Sequence, residues 1–556
     1  MKKARTRSRP APTPSEPPRR SPERPTRSAG WFAAFGLTLA ILGAPCWLAA
    51  DPLGGFRWND TLPGLASQVV SVADPLGAAR LTPDDAAFLA ASRTGLRRSL
   101  PAPADGQVVP LFRLLTWALT QASGNLARLA TVLTLASYAA LFAAVGAVGH
   151  VVAREDRSLA PALAAMAGLA ASSVLEPATA HYAASRGVWA GLAVLAMLVT
   201  LQGWRTRAGA WRLAVALAAA AAAPLFGPGG LAAGPAGLAY LLADGRPRCR
   251  KAAALPLLAA GLTGAVSLAR GLPGFHPVRG ALDATRAVPE VLVFQNLGLD
   301  VPTGPAQGVV FVLALAAAWA WSRSAGARAW PRPNPLEASG ATLAAVALWL
   351  GLSANGGAPR DAAAAVPQVG AVLFAAGWWS GQRGTGRDPS GPVTLTPPTR
   401  REALAVLALL AGLCVVETPR FRRLGQARVY PLSPVEVKMF PIPTLHWWRA
   451  KFLADELAER QERFLDRLDR AEARCRALGI GPGALRRAFG RVAVPGLSGR
   501  GATPDAIDLL ALPETGRTSD PASVRVAVGS WLTEAPEPRP GWLPPGAPWP
   551  PGGAHR

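Results

Sequence analysis

Two adjacent carboxylates, Asp84 and Asp85, are the first groups in this sequence whose type and spacing could do chemistry. They lie in the run 81–89, directly before apolar residues. One carboxylate could act as a general base, or the pair could hold a cation. Acidic residues also favour the positively charged N-terminus of a helix. On the residues alone, a helix start is the favoured interpretation.

The loop 176–186, between two apolar runs, is the second candidate. Arg186 stands where a helix should begin, although the helix dipole favours an acid there rather than a cation. Its guanidinium could bind a phosphate through two parallel hydrogen bonds, or it could anchor the chain at a membrane interface. His181 and Tyr182 are typical of the belt of polar aromatic residues at such an interface.

The composition indicates a membrane protein. Of 556 residues, 50% are hydrophobic and 17% are charged, and the mean hydropathy is +0.22. Soluble domains carry about 25% charged residues. These values exclude a soluble enzyme, a disulfide scaffold and a fully disordered protein. The net charge of +24 does not indicate nucleic-acid binding, because the basic residues lie in short clusters between apolar runs and in two tails.

No metal site is predicted from the cysteines or histidines. The four cysteines are far apart, without zinc spacing, and no histidine pair has HExxH spacing. We therefore predict no cofactor, and a divalent cation at the acid pair stays an open alternative.

Long apolar runs predict an all-α, polytopic fold with about eleven transmembrane helices. The run 31–50 is interpreted as an uncleaved anchor, because a polar lead of 30 residues precedes it and no small-residue cleavage site precedes Asp51. A cleaved signal peptide is the alternative. Several of the other runs are shorter than the ~20 residues that cross a ~30 Å core. Around 224–230 the sequence allows two helices or one broken helix. The ten later runs are 126–152, 158–175, 187–203, 212–226, 229–243, 252–270, 308–323, 340–354, 362–380 and 403–417.

The distribution of Lys and Arg predicts the orientation. If residues 1–30 are a disordered, basic cytoplasmic tail, that tail and the loops on its side hold 25 basic residues, whereas the opposite short loops hold five. Cytoplasmic loops carry the excess of Lys and Arg. The membrane domain is then 31–417, with a large first outer loop at 51–125 and an outer tail at 418–556. We expect a bacterial inner-membrane protein.

The outer tail has its own pattern. Residues 447–478 predict a charged helix with Leu457, Phe464, Ala471 and Leu478 at seven-residue spacing. Leu468 and Cys475 fall on the same seam. A helix docked on the membrane domain is favoured over a short coiled coil. The Pro-rich and Gly-rich end is predicted to be disordered.

The order of these features resembles the GT-C superfamily of membrane glycosyltransferases, which includes protein mannosyltransferases that use a polyprenyl-phosphate sugar. That family has an acid pair in the first outer loop, and Asp84 and Asp85 match it in place. Its Tyr-Trp-x-x-x-Arg-like run is similar to 181–186, with Arg186 in the matching position. The resemblance covers roughly residues 30–245, and the topology extends it to about 417.

A further family stretch, Gly-His-x-x-Arg-Pro-Leu-like, leads into an interfacial helix. Its counterpart here is 106–114, where the Pro-Leu is kept but Gln107 and Val109 stand in place of the His and Arg. A Ser-Lys-Glu-like motif that many relatives carry is replaced by 225–230, a Leu-Phe-Gly-Pro-Gly-Gly run. The resemblance therefore leaves open a member with altered or lost activity.

The resemblance implies an inverting transfer of a sugar from a polyprenyl-phosphate donor to an acceptor outside the cytoplasm. Asp84 or Asp85 would take the proton of the acceptor hydroxyl, and Arg186 would hold the departing phosphate. His181 and Tyr182 would contribute to substrate binding. The implied partners are the lipid-linked sugar, membrane lipid and an unidentified outer acceptor.

Two other classes remain as alternatives. A transporter would suit the Gly-rich and Pro-rich break near 224–235, but the runs hold almost no charged residues and show no clear repeat. A non-catalytic membrane scaffold would use the outer helix 447–478 to recruit a partner.

Overall fold

The computed structural model describes residues 81–101 (except Thr82 and Thr94), 108–170, 172–175, 178, 182–268, 276–297, 301–324, 333–354, 365–382, 398–409, 412, 443–494, 505–513 and 520–532. The basic tail, the predicted anchor at 31–50 and the first part of the predicted outer loop lie outside these residues, as do His181 and the final Pro-rich run.

The described residues form helices joined by turns, with no strand among them, so the predicted all-α class is confirmed for this part of the chain. The helices are α1 (Pro83–Arg93), α2 (Leu96–Ser99), α3 (Pro110–Ser123), α4 (Leu126–Asp156), α5 (Leu159–Ala170), α6 (Arg186–Thr206), α7 (Ala210–Ala222), α8 (Ala233–Asp244), α9 (Pro247–Ala252), α10 (Ala254–Leu268), α11 (Pro277–Ala287), α12 (Pro305–Ser324), α13 (Pro335–Ala354), α14 (Ala365–Gln382), α15 (Pro443–Leu478), α16 (Pro482–Phe489) and α17 (Pro521–Leu532).

Four of the described helical segments are long and apolar enough to cross a membrane: Arg128–Asp156, Ala183–Thr206, Pro305–Ser322 and Pro335–Ser353. Two shorter apolar helices, Leu159–Ala170 and Ala210–Leu225, pack beside them. Each predicted apolar run from 126 to 380 contains a helix, and residues 400–409, at the start of the last run, are also helical. The membrane class is thus supported, while the count of eleven spans stays a prediction.

The break around 224–230 separates two helices rather than bending one. Two 3-10 turns, Ala223–Leu225 and Pro228–Ala232, join α7 to α8. A Cβ on Gly230 would lie 2.0 Å from the carbonyl oxygen of Ala223, so only glycine allows this close approach.

Small residues let the helices of the bundle approach closely. The main buried cluster is formed by α4 to α8, α13 and α14 and is rich in alanine. Where α13 crosses α14, a Cβ on Gly340 would lie 2.4 Å from the backbone nitrogen of Phe374, and one on Gly370 would lie 2.5 Å from that of Ala344. In lipid, where apolar burial does not drive association, such close packing supplies the contact energy.

A second buried cluster joins the first outer loop to the C-terminal tail. It combines side chains of α1, α3 and the start of α4 with side chains of α15, α16 and α17. α15 begins at Pro443, four residues before the predicted start, and ends at Leu478 as predicted. Four of its predicted seam residues, Phe464, Leu468, Ala471 and Cys475, are buried in this cluster, whereas Leu478, the last residue of the helix, is exposed. The interpretation as a helix docked on its own chain is therefore supported.

Candidate functional site

The acid pair lies in the first turn of α1, and its two members have different surroundings. Pro83 opens the helix, so both carboxylates lie at the positive end of the dipole. Asp84 is exposed. Asp85 is 2% exposed, and its Oδ1 accepts a hydrogen bond from the backbone nitrogen of Ala183 at 2.7 Å. The helix-start interpretation is confirmed, and Asp85 additionally ties α1 to the turn before α6.

Tyr182 is buried against α1 and α3 rather than exposed at an interface. Its ring stacks on Phe112 of α3 with 4.7 Å between centroids, and its hydroxyl lies 3.1 Å from the Oγ1 of Thr116. Phe88 of α1 meets Phe112 edge to face at 5.1 Å. Burial raises the pKa of Tyr182 well above its ordinary value; the hydrogen bond with Thr116 opposes this shift, and the charge of Asp85 adds to it. Tyr182 is therefore a neutral hydrogen-bonding group at physiological pH.

Arg186 is the first residue of α6, as the sequence predicted, and follows a 3-10 turn at 183–185. It is 6% exposed, which is unusual for an arginine at the polar end of a membrane helix. Since the Asp85 bond reaches Ala183, the acid pair and the turn that carries Arg186 meet across 98 residues of sequence. The structure does not describe His181, whose assignment to the site stays a prediction.

Arg113 on α3 is a buried cation that the sequence analysis did not select. It is 3% exposed, and its guanidinium carbon lies 5.0 Å from the centroid of the Phe88 ring. A cation–π contact of this kind stabilises a guanidinium removed from water. The signal in the sequence was one Arg in the otherwise uncharged helix α3.

The stretch that replaces the Ser-Lys-Glu-like motif lies beside α6. Phe226 stacks on Trp189, one turn after Arg186, with 6.2 Å between ring centroids. An aromatic contact therefore occupies the position where the resemblance implies a charged pair.

A chain of amide and hydroxyl groups connects the segment after α5, the turn at 295–297 and the start of α14. The Oγ of Ser172 donates to the Oδ1 of Asn296 at 2.7 Å, and the Nδ2 of Asn296 donates to the Oε1 of Gln368 at 3.0 Å. Asn296 follows a π-helical segment, Val288–Phe294, a type of distortion that is frequent at functional sites. Nothing in the sequence pattern marked these residues.

Three contacts fasten this region to helix α15 of the C-terminal tail. The Oε1 of Gln461 accepts from the backbone nitrogen of Leu81 at 2.6 Å, and its Nε2 donates to the carbonyl oxygen of Leu81 at 3.1 Å. Glu472 pairs with Arg93 at 2.9 Å. Asp469 accepts from the backbone nitrogen at the start of α4 at 2.9 Å. Both ends of the α1–α3 segment are therefore fastened to α15.

The described residues contain no group of three or more His, Cys, Asp or Glu side chains that could hold a metal ion.

Fold and site together define the class as an all-helical protein with apolar helices able to cross a membrane and a polar site at the start of one of them. No family model, curated protein or solved structure matches the chain.

Proposed function

We propose that this protein is a GT-C-like membrane glycosyltransferase that moves a sugar from a polyprenyl-phosphate donor to an acceptor outside the cytoplasm. The observation that carries the proposal is the hydrogen bond from the Ala183 backbone to Asp85. It brings the acid pair of the first outer loop to the turn that opens α6 with Arg186. The same two features carry the resemblance to that superfamily.

The different surroundings of the two acids support different roles for them in this proposal. Asp84 is exposed at the helix start, so its carboxylate takes the proton of the acceptor hydroxyl as that oxygen attacks the anomeric carbon. Asp85 is buried and holds the turn in place. The bond from the anomeric carbon to the phosphate oxygen breaks with inversion, and polyprenyl phosphate leaves with both electrons.

Arg186 stabilises the leaving group. The negative charge on the phosphate grows as the bond breaks, and a fixed guanidinium at that point lowers the barrier. Its place in the first turn of a candidate span, Ala183–Thr206, suits a donor whose phosphate is polar while its chain remains in lipid. An ionisable group in such a position is costly unless it is used. The proposal includes eleven spans in a bacterial inner membrane, with the N-terminus inside and the C-terminus outside.

Native mass spectrometry of the full-length protein with a synthetic polyprenyl phosphate tests the binding step. We expect the wild type and Asp84→Asn to retain the lipid and Arg186→Ala to lose it. The mass of a co-purifying lipid-linked sugar identifies the donor, and Asp84→Asn should abolish the transfer of sugar from that donor. Asp85→Asn keeps the shape of the side chain but weakens a charge-assisted hydrogen bond, so the thermal unfolding temperature should fall in this variant and not in Asp84→Asn.

A non-catalytic scaffold is the second candidate, and one observation favours it. The tail helices α15, α16 and α17 form a buried cluster with α1 and α3, and Asp85 and Tyr182 both make structural contacts there. The transferase proposal is wrong, and the scaffold is favoured, if two results are obtained together. The protein does not bind an excess of added polyprenyl phosphate, and Asp84→Asn behaves like the wild type in sugar transfer and in thermal unfolding.

A further inference from the structure

A buried polar network lies at the C-terminal end of α6, about 30 Å from Arg186 by the rise of a helix. Arg205 pairs with Glu155 at the end of α4 at 2.8 Å and with Asp244 at the end of α8 at 2.9 Å. The hydroxyl of Tyr240 accepts from Arg205 at 2.6 Å and donates to Glu155 at 3.0 Å. The network therefore joins the C-terminal ends of α4, α6 and α8 at one end of the bundle.

Arginines that follow two of these helix ends cover the last carbonyl groups of α6. Arg246 donates to the carbonyl oxygen of Arg205 at 2.9 Å, and Arg248 donates to the same oxygen. Arg212 donates to the carbonyl oxygen of Gly203 at 2.9 Å. The end of a helix has unpaired carbonyl groups and a partial negative charge, so cations there are stabilising. These contacts join the α6–α7 turn to the α8–α9 segment.

Three further cations, one in the α6–α7 turn and two in helix α9, make no such contact with the carbonyl groups of α6. Arg207, Arg250 and Lys251 are exposed, and their side chains make no ion pair with any described residue. The two network carboxylates are already paired with Arg205 and Arg246. The joined turns therefore present an excess of positive charge, which we call the cationic patch.

Apolar surface begins directly beyond this patch on both helices that leave it. On α7, Trp211 is 65% exposed and Val215 is exposed. On α10, Leu258 and Leu262 are exposed, and α7 packs against α10. Exposed apolar side chains on helices of this class face lipid hydrocarbon, and Trp is enriched at the headgroup level. A bilayer around these apolar faces would place the cationic patch at the height of the lipid phosphates.

We propose that the cationic patch binds the phosphate groups of an anionic phospholipid whose acyl chains lie along the exposed faces of α7 and α10. Arg207, Arg250 and Lys251 bind the headgroup, and Trp211 packs beside its glycerol region. Lys and Arg side chains clustered next to membrane helices attract anionic lipids, and cardiolipin carries two phosphates in one headgroup. The adjoining apolar faces favour a lipid over a soluble phosphate. The inference does not depend on the proposed transferase activity.

The test uses the full-length protein in nanodiscs of neutral phosphatidylcholine, titrated with cardiolipin and read by native mass spectrometry. The triple variant Arg207→Gln, Arg250→Gln and Lys251→Gln is compared with a control of equal charge, Arg470→Gln, Arg474→Gln and Arg487→Gln, on exposed positions of the tail helices. At about 1 kcal/mol for each basic residue near the surface, we expect cardiolipin binding to weaken on the order of one hundred-fold in the first variant. The control should bind like the wild type.

Equal cardiolipin binding by both triple variants would overturn the proposal, as would equal binding of phosphatidylcholine and cardiolipin by the wild type. Glycerol phosphate without acyl chains should not compete, and effective competition would show a soluble phosphate site instead of a lipid site. Circular dichroism of both variants confirms that the fold is retained. If the first variant does not fold, the single substitution Lys251→Gln is read against Arg474→Gln, with several-fold weaker binding expected.

Discussion

Gln461 fastens the start of α1 to the C-terminal tail, and its removal has a calculable cost. Its side-chain amide pairs with both the N–H and the C=O of Leu81, at 2.6 and 3.1 Å. Gln461 is 2% exposed, and Leu81 is buried as well. Without the amide, both backbone groups of Leu81 lose this partner in a region closed to water. An unsatisfied buried polar group costs about 1–3 kcal/mol, so the two together should lower the free energy of unfolding by roughly 2–6 kcal/mol.

Gln461→Met isolates this effect because it keeps most of the side-chain volume and removes both hydrogen bonds. Thermal unfolding of the purified protein should move to lower temperature, and limited proteolysis should cut faster near α1. Glu462→Met, at the next and exposed position, is the matched control and should behave like the wild type. An unchanged unfolding temperature and cleavage pattern in Gln461→Met would refute the argument that this side chain holds the two segments together.

Three further predictions follow from the packing and charge of the described residues. Gly370→Leu should abolish stable folding, because its Cβ would lie 2.5 Å from the backbone nitrogen of Ala344. Gly261→Ala, with open space around it, should be neutral or stabilise α10 by up to about 1 kcal/mol. Size-exclusion profiles and thermal unfolding test both variants, and a stable Gly370→Leu would contradict the close crossing of α13 and α14. Arg205→Met leaves Glu155 and Asp244 buried without their shared cation, so it should lower the free energy of unfolding by about 3–5 kcal/mol. The measurement is the unfolding temperature, which should fall. An unchanged temperature would show that the network is not stabilising. Burial, and to a smaller extent Glu472, raises the pKa of the Cys475 thiol from 9.0 to about 11. The folded state therefore favours the neutral thiol, so its contribution to stability is present below pH 9 and is lost as the pH rises towards 11. In a variant in which the other three cysteines are serine, maleimide should label Cys475 slowly at pH 8 and rapidly once the protein is unfolded; equal rates would refute this.

Local pattern predicted much of the helical content. Apolar runs and turn signals indicated the helices at 126–152 and 187–203 and the charged helix that ends at Leu478, and the structure has α4, α6 and α15 there. The acid pair at the start of a helix and Arg186 at the start of another were also visible, because caps and dipole effects depend on neighbours within one turn. Two short elements of the tail, the 3-10 turn Ala506–Leu509 and α17, had no signal beyond a few apolar residues.

The contacts that build the site could not be predicted from local pattern. Asp85 and Ala183 are 98 residues apart, and Gln461 and Leu81 are 380 apart. A glutamine in a charged helix carries no sign that it will be buried, and Arg113 differs from a surface arginine only by what packs around it. The different exposure of Asp84 and Asp85 likewise depends on which face of α1 meets the turn before α6.

The sequence by itself determined that the chain is helical, that it is apolar enough for a membrane, and where acids and cations stand relative to helix ends. These properties depend on composition and on periodicity within a few residues. Only the tertiary structure decided that Asp85 is a buried link and Asp84 an exposed carboxylate, and that the tail closes over α1. It also decided that basic residues from separate turns form one cationic patch. Burial and pairing depend on which distant surfaces pack together, because a polar group loses water only where another part of the chain excludes it.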